Sequence, residues 1–341
     1  MIDFSAAPPL LAAIPAYPGA VDPGPFFVLL LAMAADAAFG DWLGRILPDP
    51  AGWARRRCAD YDRRLNKESR GDGARLARGV VLAVALAGLA VTVGLAVEWF
   101  AGRVRVGWVL ELVLLMGCLR ARAAWSAARK ASRTLGHGDL AAARDAAAPL
   151  TRRYVLTFDQ HAVARAAVEF AARSFVRRLA APAFWWLLAG LPGVLALAVI
   201  EGADAAVGRP GVRHERFGLT AARLDDALNY LPARLAALLL ALATPFLSGA
   251  RIGRAFATWR ADAGKSASRN MGPPVAVVAG ALDLALAGPH RDGGVVIDEA
   301  WIGGGRARAT AQDVDRALAL TMIAALLLAL LAVLLLLAAV G

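Results

Sequence analysis

The amino-acid sequence predicts an all-α, polytopic integral membrane protein with helical loops on its cytoplasmic side. Three observations carry this prediction. Of the 341 residues, 59% are hydrophobic but only 7% aromatic, against roughly 45–50% apolar residues in an average soluble domain. The surplus is Ala, Leu and Val, the material of lipid-facing helices. The stretch Leu318 to Val340 contains no charged residue, and roughly 20 apolar residues suffice to cross a hydrocarbon core. The formal net charge is +11, and the basic residues concentrate between the apolar stretches.

The candidate spans follow in chain order. They lie near 26–39, 80–97, 108–119, 184–200, 231–247 and 318–340. Glu111 interrupts the third, and Leu191-Pro192-Gly193 breaks the fourth. A weaker apolar stretch, Pro273 to Gly288, contains Asp283. No internal repeat or low-complexity linker divides the chain, so residues 1–341 read as a single domain.

Loop charge sets orientation. Asp41 to Arg78 holds ten basic residues, including Arg55-Arg56-Arg57. Arg120 to Arg178 holds twelve against four acids, and Arg251 to Arg316 is basic again. Basic loops stay in the cytoplasm, which puts the protein in the cytoplasmic membrane with Met1 to Pro25 outside. If 184–200 crosses fully, Asp225 and Asp226 fall outside. The Leu-Pro-Gly break also permits a re-entrant hairpin with both ends cytoplasmic.

The second basic loop reads as helical. Ala121 to Ala148 breaks at Gly136-His137-Gly138, with Asp139 as N-cap of the next helix. Ala162 to Arg178 continues as helix, Arg165, Glu169, Arg173 and Arg177 share one face, and Pro182 is expected to end it.

Several functions are excluded by the residues. No aromatic-interleaved basic stretch favours nucleic acid. Cys58 and Cys118 form neither a disulfide framework nor a CxxC site. Gly264-Lys265-Ser266 lacks the glycine five residues upstream that a P-loop needs, Trp259 standing there. Gly303-Gly304-Gly305 lacks the context of a dinucleotide fingerprint. The four histidines are scattered.

The densest polar stretch runs from Arg223 through Asp225, Asp226 and Asn229 to Arg234. On a helix, the two aspartates and the asparagine gather within about one turn at the mouth of a span. Carboxylates there need water, a partner or a cation. The stretch is therefore either a Mg²⁺- or phosphate-organising site or a solvated cap with Asp–Arg pairs. Asp36, inside the first span, and Glu169 and Asp204, flanking the broken one, are further candidates.

These residues also carry a resemblance. Phe217 to Asn229 with Pro232-Ala233-Arg234 is similar to the signature of the CobD/CbiB family, membrane-bound adenosylcobinamide-phosphate synthases of cobalamin biosynthesis. Collinear segments agree. They are Asp36 to Asp41, Arg63-Arg64-Leu65-Asn66, Gly138 to Arg144, and Ala181 to Trp185 with Gly190 to Gly193. Asn270 to Leu282 follows, then Gly288-Pro289, Gly293-Gly294 and Trp301-Ile302-Gly303. The resemblance covers nearly the whole chain.

It implies an ATP-dependent amide ligase, which joins aminopropanol or its phosphate to the propionate carboxyl of cobyric acid to give cobinamide or its phosphate. Implied with it are ATP and Mg²⁺, a corrinoid substrate, and contact with the lipid bilayer and other membrane proteins of the pathway. The residues implied as catalytic are Asp225, Asp226, Asn229, Arg223, Glu169 and Asp204. Arg153 and Asn270 are implied for cofactor binding, and Asp225 and Asp226 for the metal.

The chain departs from the family at polar positions. In the family's GRD segment the arginine is kept as Arg153, and Tyr154 replaces the aspartate. In its ESxAEN…DG motif only Glu169 remains, with Arg173, Ser174 and Arg177 at the other positions. The Lys and Asn of KAINTxDSMIG are Ala198 and Glu201, while Asp204 and Gly208 persist. Ser266 and Val275 replace a histidine and a glutamate. Packing motifs are spared and polar ones changed, so the alternative is a catalytically degenerate paralogue serving as a non-enzymatic membrane subunit or scaffold.

Overall fold

Prolines open the first two helices of the protein. The computed structural model describes residues 23–67, 69, 71–208, 214–292 and 295–340. Helix α1 (Pro25–Ile46) and α2 (Pro50–Leu65) begin on proline, whose missing N–H falls among donors that a helix start leaves unpaired anyway. Asp49 caps α2, its carboxylate accepting from the Gly52 amide at 2.9 Å. There follow α3 (Asp72–Ala101), α4 (Trp108–Cys118), α5 (Ala121–Gly136), α6 (Leu140–Ala147), α7 (Gln160–Phe175), α8 (Ala181–Val207) and α9 (Leu219–Ala243). The remaining helices are α10 (Ile252–Asp262), α11 (Gly272–Leu282) and α12 (Ala311–Val340). Four short strands lie between α11 and α12. They are β1 (Leu286–Ala287), β2 (His290–Asp292), β3 (Val295–Ile297) and β4 (Trp301–Ile302), pairing antiparallel as β1–β4 and β2–β3.

The protein is an all-α polytopic membrane protein. Five helical segments among the described residues are long and apolar enough to cross a bilayer: Pro25–Leu65, Asp72–Ala101, Gln160–Val207, Leu219–Phe246 and Ala311–Ala338. Helix α3 shows why. It buries Gly79, Ala83, Leu86, Ala90 and Gly94 as one stripe at helical spacing, while Val81, Val84 and Leu89 stand exposed. Apolar side chains in such numbers on the outer face belong in lipid. Small residues on the inner face let a neighbouring backbone approach. Helix α12 likewise exposes Leu326, Leu330, Leu334 and Leu337.

Three sequence expectations need correction. The span expected at 108–119 is α4, with 11 residues. At 1.5 Å per residue it reaches about 16 Å, half of a hydrocarbon core, and it packs against α1 and α3. The weak apolar stretch from Pro273 forms α11, buried along its whole length and stopped by Asp283 in the left-handed conformation. Pro182 does not end the helix before it. A π-helical turn at Val176–Ala180 carries α7 into α8. That wider turn adjoins the place where proline removes a donor and crowds the preceding carbonyl.

The described residues cluster into two units. The first comprises those within 23–120, 182–229 and 331–340, the second Ala121–Ala181 and those within 230–330. The expected outer segment, up to residue 22, lies outside the described residues, as do Gly293 and Gly294.

Within the first unit, α8 is sharply bent at its Gly-Leu-Pro-Gly run. Ala189 (φ −139°, ψ 16°) and Gly190 (φ 61°, ψ −151°) leave the helical region, and the glycine conformation is one that side chains forbid. A Cβ on Gly193 would lie 2.9 Å from the carbonyl oxygen of Trp185, eight residues earlier. An uninterrupted helix would separate those residues by about 12 Å, so the chain folds back here. Glu98 of α3 receives the freed Leu191 amide at 2.8 Å. The same unit holds a buried polar network. Asp62 accepts from Asn66 Nδ2 at 2.8 Å, and Arg75 Nε donates to Asn66 Oδ1 at 2.7 Å.

Within the second unit, α5 packs against α6 and α7, and α10 against α11. Asp139 caps α6 as expected, accepting from Ala142. Asp262, at the end of α10, accepts from the Gly303 amide at 2.7 Å and pairs with Lys265 at 2.5 Å. Burial works to raise the Asp262 pKa, but the Lys265 hydrogen bond, the Gly303 amide and the Lys265 charge together hold it below its usual value of 3.8. A lowered folded-state pKa gives stability that is present above the unfolded value and lost as pH falls through the folded one. Asp262→Asn should therefore lower the unfolding temperature at neutral pH. The gap to wild type should begin to close as pH drops below about 4 and vanish at lower pH. Thermal unfolding followed against pH checks this, and a pH-independent gap would refute it.

Candidate functional site

The strongest constellation lies in the second unit and is built around Glu169. Helix α7 starts at Asp159, whose carboxylate accepts from the Ala162 amide at 2.6 Å. Its apolar face buries Val163, Ala166, Ala167 and Ala171. The helix thereby carries Glu169, 2% exposed, into the interior. Both carboxylate oxygens are engaged. Arg153 donates to Oε1 and Oε2 at 3.2 and 3.3 Å, Arg173 to Oε2 at 2.8 Å, and the Ala287 amide to Oε1 at 2.9 Å. Charge-assisted, forked bonds of this kind are the strong ones.

Arg153 extends the network. Its Nη2 also donates to Glu299 at 2.7 Å, and His290 Nδ1 lies 3.5 Å from the same Glu299 carboxylate. Burial would lower the Arg153 pKa, but the carboxylates of Glu169 and Glu299 outweigh it and hold the guanidinium above its usual value. It remains a fixed cation. Arg165, one turn before Glu169, donates to the Ala307 carbonyl at 2.6 Å and stands over the Trp301 ring at 5.4 Å.

Arg153, Arg165, His290 and Asp159 border a cavity of about 370 Å³, within the range of small-molecule pockets. Two oriented guanidiniums and an imidazole on one wall suit an oxyanion.

The structure brings together some of the sequence-predicted residues and not others. Arg153 and Glu169 meet directly. Asn270, 2% exposed, accepts from Arg234 at 3.3 Å in the same unit. The rest lie in the first unit. Asp225 and Asn229 share the buried face of α9, and Asn229 Nδ2 donates to the Asp225 carbonyl and carboxylate at 3.1 Å each. Asp226 is half-buried and Arg223 exposed. The Asp204 carbonyl accepts the Gly208 amide at 2.8 Å near the end of α8. Among the described residues, no three His, Cys, Asp or Glu side chains converge as a metal cluster. Arg165, His290 and Glu299 join the site through tertiary folding. The only signal for them in the sequence is that Arg165 shares a helical face with Glu169, and that His290 follows Gly288-Pro289.

Comparison with known proteins adds the family. The family described as CobD/Cbib protein matches residues 29–321. The chain belongs to the CobD/CbiB family. Similar CobD/CbiB relatives are each named cobalamin biosynthesis protein CobD. That of a Sinorhizobium species is 38% identical over 297 residues, covering 86% of this chain and 92% of the relative. That of Rhodobacter capsulatus is 34% identical over 295 residues, covering 86% and 91%. That of Brucella suis is 37% identical over 216 residues, covering 63% and 66%. No solved structure matches the chain. The CobD/CbiB match spans every residue of the Glu169 network, from Arg153 to Glu299.

Proposed function

We propose that this chain acts in cobalamin biosynthesis as an ATP-dependent amide ligase, joining aminopropanol or its phosphate to the propionate carboxyl of cobyric acid. The observation that carries the reading is family membership over residues 29–321, with relatives named for cobalamin biosynthesis matched over nearly their full length. The Glu169-anchored cavity supports it, because amide formation from a carboxylate needs cations to hold phosphate oxygens and a base for the amine.

ATP, when bound, supplies the phosphoryl group that converts the carboxyl oxygen into a leaving group, with Mg²⁺ offsetting its charge. Arg153 and Arg165 are the residues to hold phosphate oxygens, and the network fixes Arg153 before any ligand arrives. His290 would take the proton that the amine nitrogen loses as the C–N bond forms. For the metal, Asp225 and Asp226 are not equivalent: one is buried and bonded to Asn229, the other half-buried. Neighbouring helical positions diverge by about 100°, so Mg²⁺ would be held through one of them. The protein is read as residing in the cytoplasmic membrane with its basic loops inside, where a corrinoid, aminopropanol and other membrane proteins of the pathway can reach it.

A strain lacking its own synthase but supplied with cobyric acid provides the test. Expression of the chain should restore growth, and of Asp225→Ala and Asp226→Ala the one that removes the metal-holding carboxylate should abolish rescue while leaving membrane insertion intact. Unchanged rescue by both variants would remove their metal role. Failure of the inserted wild type to rescue would favour the second reading, a degenerate paralogue acting as subunit or scaffold. One observation favours that reading: Arg173, where the family carries an acid, pairs with Glu169 at 2.8 Å and occupies one of its oxygens.

A further inference from the structure

The segment from Trp301 to Arg306 leads from the first site to a second cavity. Trp301 lies under Arg165, which borders the cavity already described. Three residues on, Gly304, Gly305 and Arg306 line a second cavity of about 480 Å³, facing Arg254 and Thr258 of α10 and Asp283 at the end of α11. All of it lies in the second unit.

The lining has a consistent chemistry. Arg254 pairs with Asp283 at 2.6 Å, and these side chains are 47% and 59% exposed, so the pair is open to exchange. Surface pairs of this kind are worth little, and an incoming oxyanion can take the place of the carboxylate. Arg306 is held differently. Its Nη2 donates at 2.8 Å to Asp313, a buried carboxylate that also accepts the Thr310 amide and hydroxyl. That fixes one guanidinium at the rim while the other can move. Between them runs a strip of backbone without side chains. Gly305 has to be glycine, since a Cβ would overlap the Asp283 backbone. Gly304 is different. Its φ is outside the left-handed region and a Cβ would meet nothing within 4 Å, so the fold does not require a glycine here and the cavity stays open beside it.

We propose that this second cavity binds the phosphoryl group of a small molecule between Arg254 and Arg306, over the bare backbone at Gly304-Gly305 and beside the Thr258 hydroxyl. Two guanidiniums, a hydroxyl and close backbone approach form the donor set that phosphate oxygens select. The assignment does not rest on ligase chemistry. A protein that forms the amide but lacks this site, or has the site but forms no amide, separates the two ideas.

The test is calorimetric titration of the full-length protein in detergent with three probes: inorganic phosphate, ATP and aminopropanol phosphate. Two variants move the result in opposite directions. Gly304→Leu fills the cavity from a position where the fold accepts a side chain, and should weaken the bound probe about tenfold or more. Asp283→Asn keeps a residue that tolerates the left-handed conformation and frees Arg254 from its competitor, so it should tighten the same probe several-fold. If Gly304→Leu fails to fold, Arg254→Ala takes its place with the same expected loss. The probe that gives both responses identifies the source of the phosphate. Binding of no probe at millimolar concentration, or no probe giving both responses, overturns the assignment.

Discussion

Glu169→Ala should cost about 3–5 kcal/mol of stability, the range for removing one member of a buried ion pair. Its carboxylate is the shared acceptor of Arg153, Arg173 and the Ala287 amide. Without it, Arg153 keeps only Glu299, and the Ala287 amide is left buried without its acceptor, which adds its own desolvation cost. Arg173 is one-third exposed and can turn to water, so the loss falls on Arg153 and the β1 strand. Glu169→Gln should cost less, because an amide oxygen still accepts from Ala287 or one guanidinium. Denaturant unfolding of the solubilised protein, with both variants measured together, checks this. A cost below about 1 kcal/mol for the alanine variant would show that the network does not hold the site.

Gly94→Leu should prevent α3 from docking on the bend of α8. A Cβ at Gly94 would come within 2.5 Å of the Pro192 Cα and 2.6 Å of its nitrogen. Backbone atoms cannot rotate away as a side chain does, so the strain falls on the helix pair. Overpacking costs roughly 1–3 kcal/mol and occasionally more, and here it also pulls Glu98, one turn on, from the Leu191 amide. Gly88→Leu on the same helix is the control, since a Cβ there meets nothing within 4 Å. The expected outcome is a marked loss of folded protein in membranes for Gly94→Leu and near-normal yield for Gly88→Leu. Equal yields would mean that the close approach at Pro192 is not required.

Much of the fold was legible because lipid imposes simple rules. The uncharged run from Leu318 is long enough for a span, and Asp139 after Gly138 reads as a cap. Composition alone misled at Trp108–Leu119 and Pro273–Gly288, since a short apolar run reads the same whether it faces lipid or protein. Length separates the two cases, and 11 residues cannot cross. Pro182 misled because a π-helical turn absorbs a proline that an ideal helix would not. The candidate site was half legible. Arg153 and Glu169 stood in motifs, but Glu299 and His290 reach them from more than a hundred residues away through short strands with no periodic signal. The cavity at Gly304 was hidden for a related reason: a glycine run marks space only once its neighbours are known.

The pairing of Arg173 with Glu169 also constrains how this chain can change. The arginine supplies part of the charge that the buried carboxylate needs, so the carboxylate depends on it more than it depends on the carboxylate. An acid at position 173 would place two carboxylates one helical turn apart and remove a positive charge. A change of sign at this position therefore has to be matched by changes elsewhere in the network.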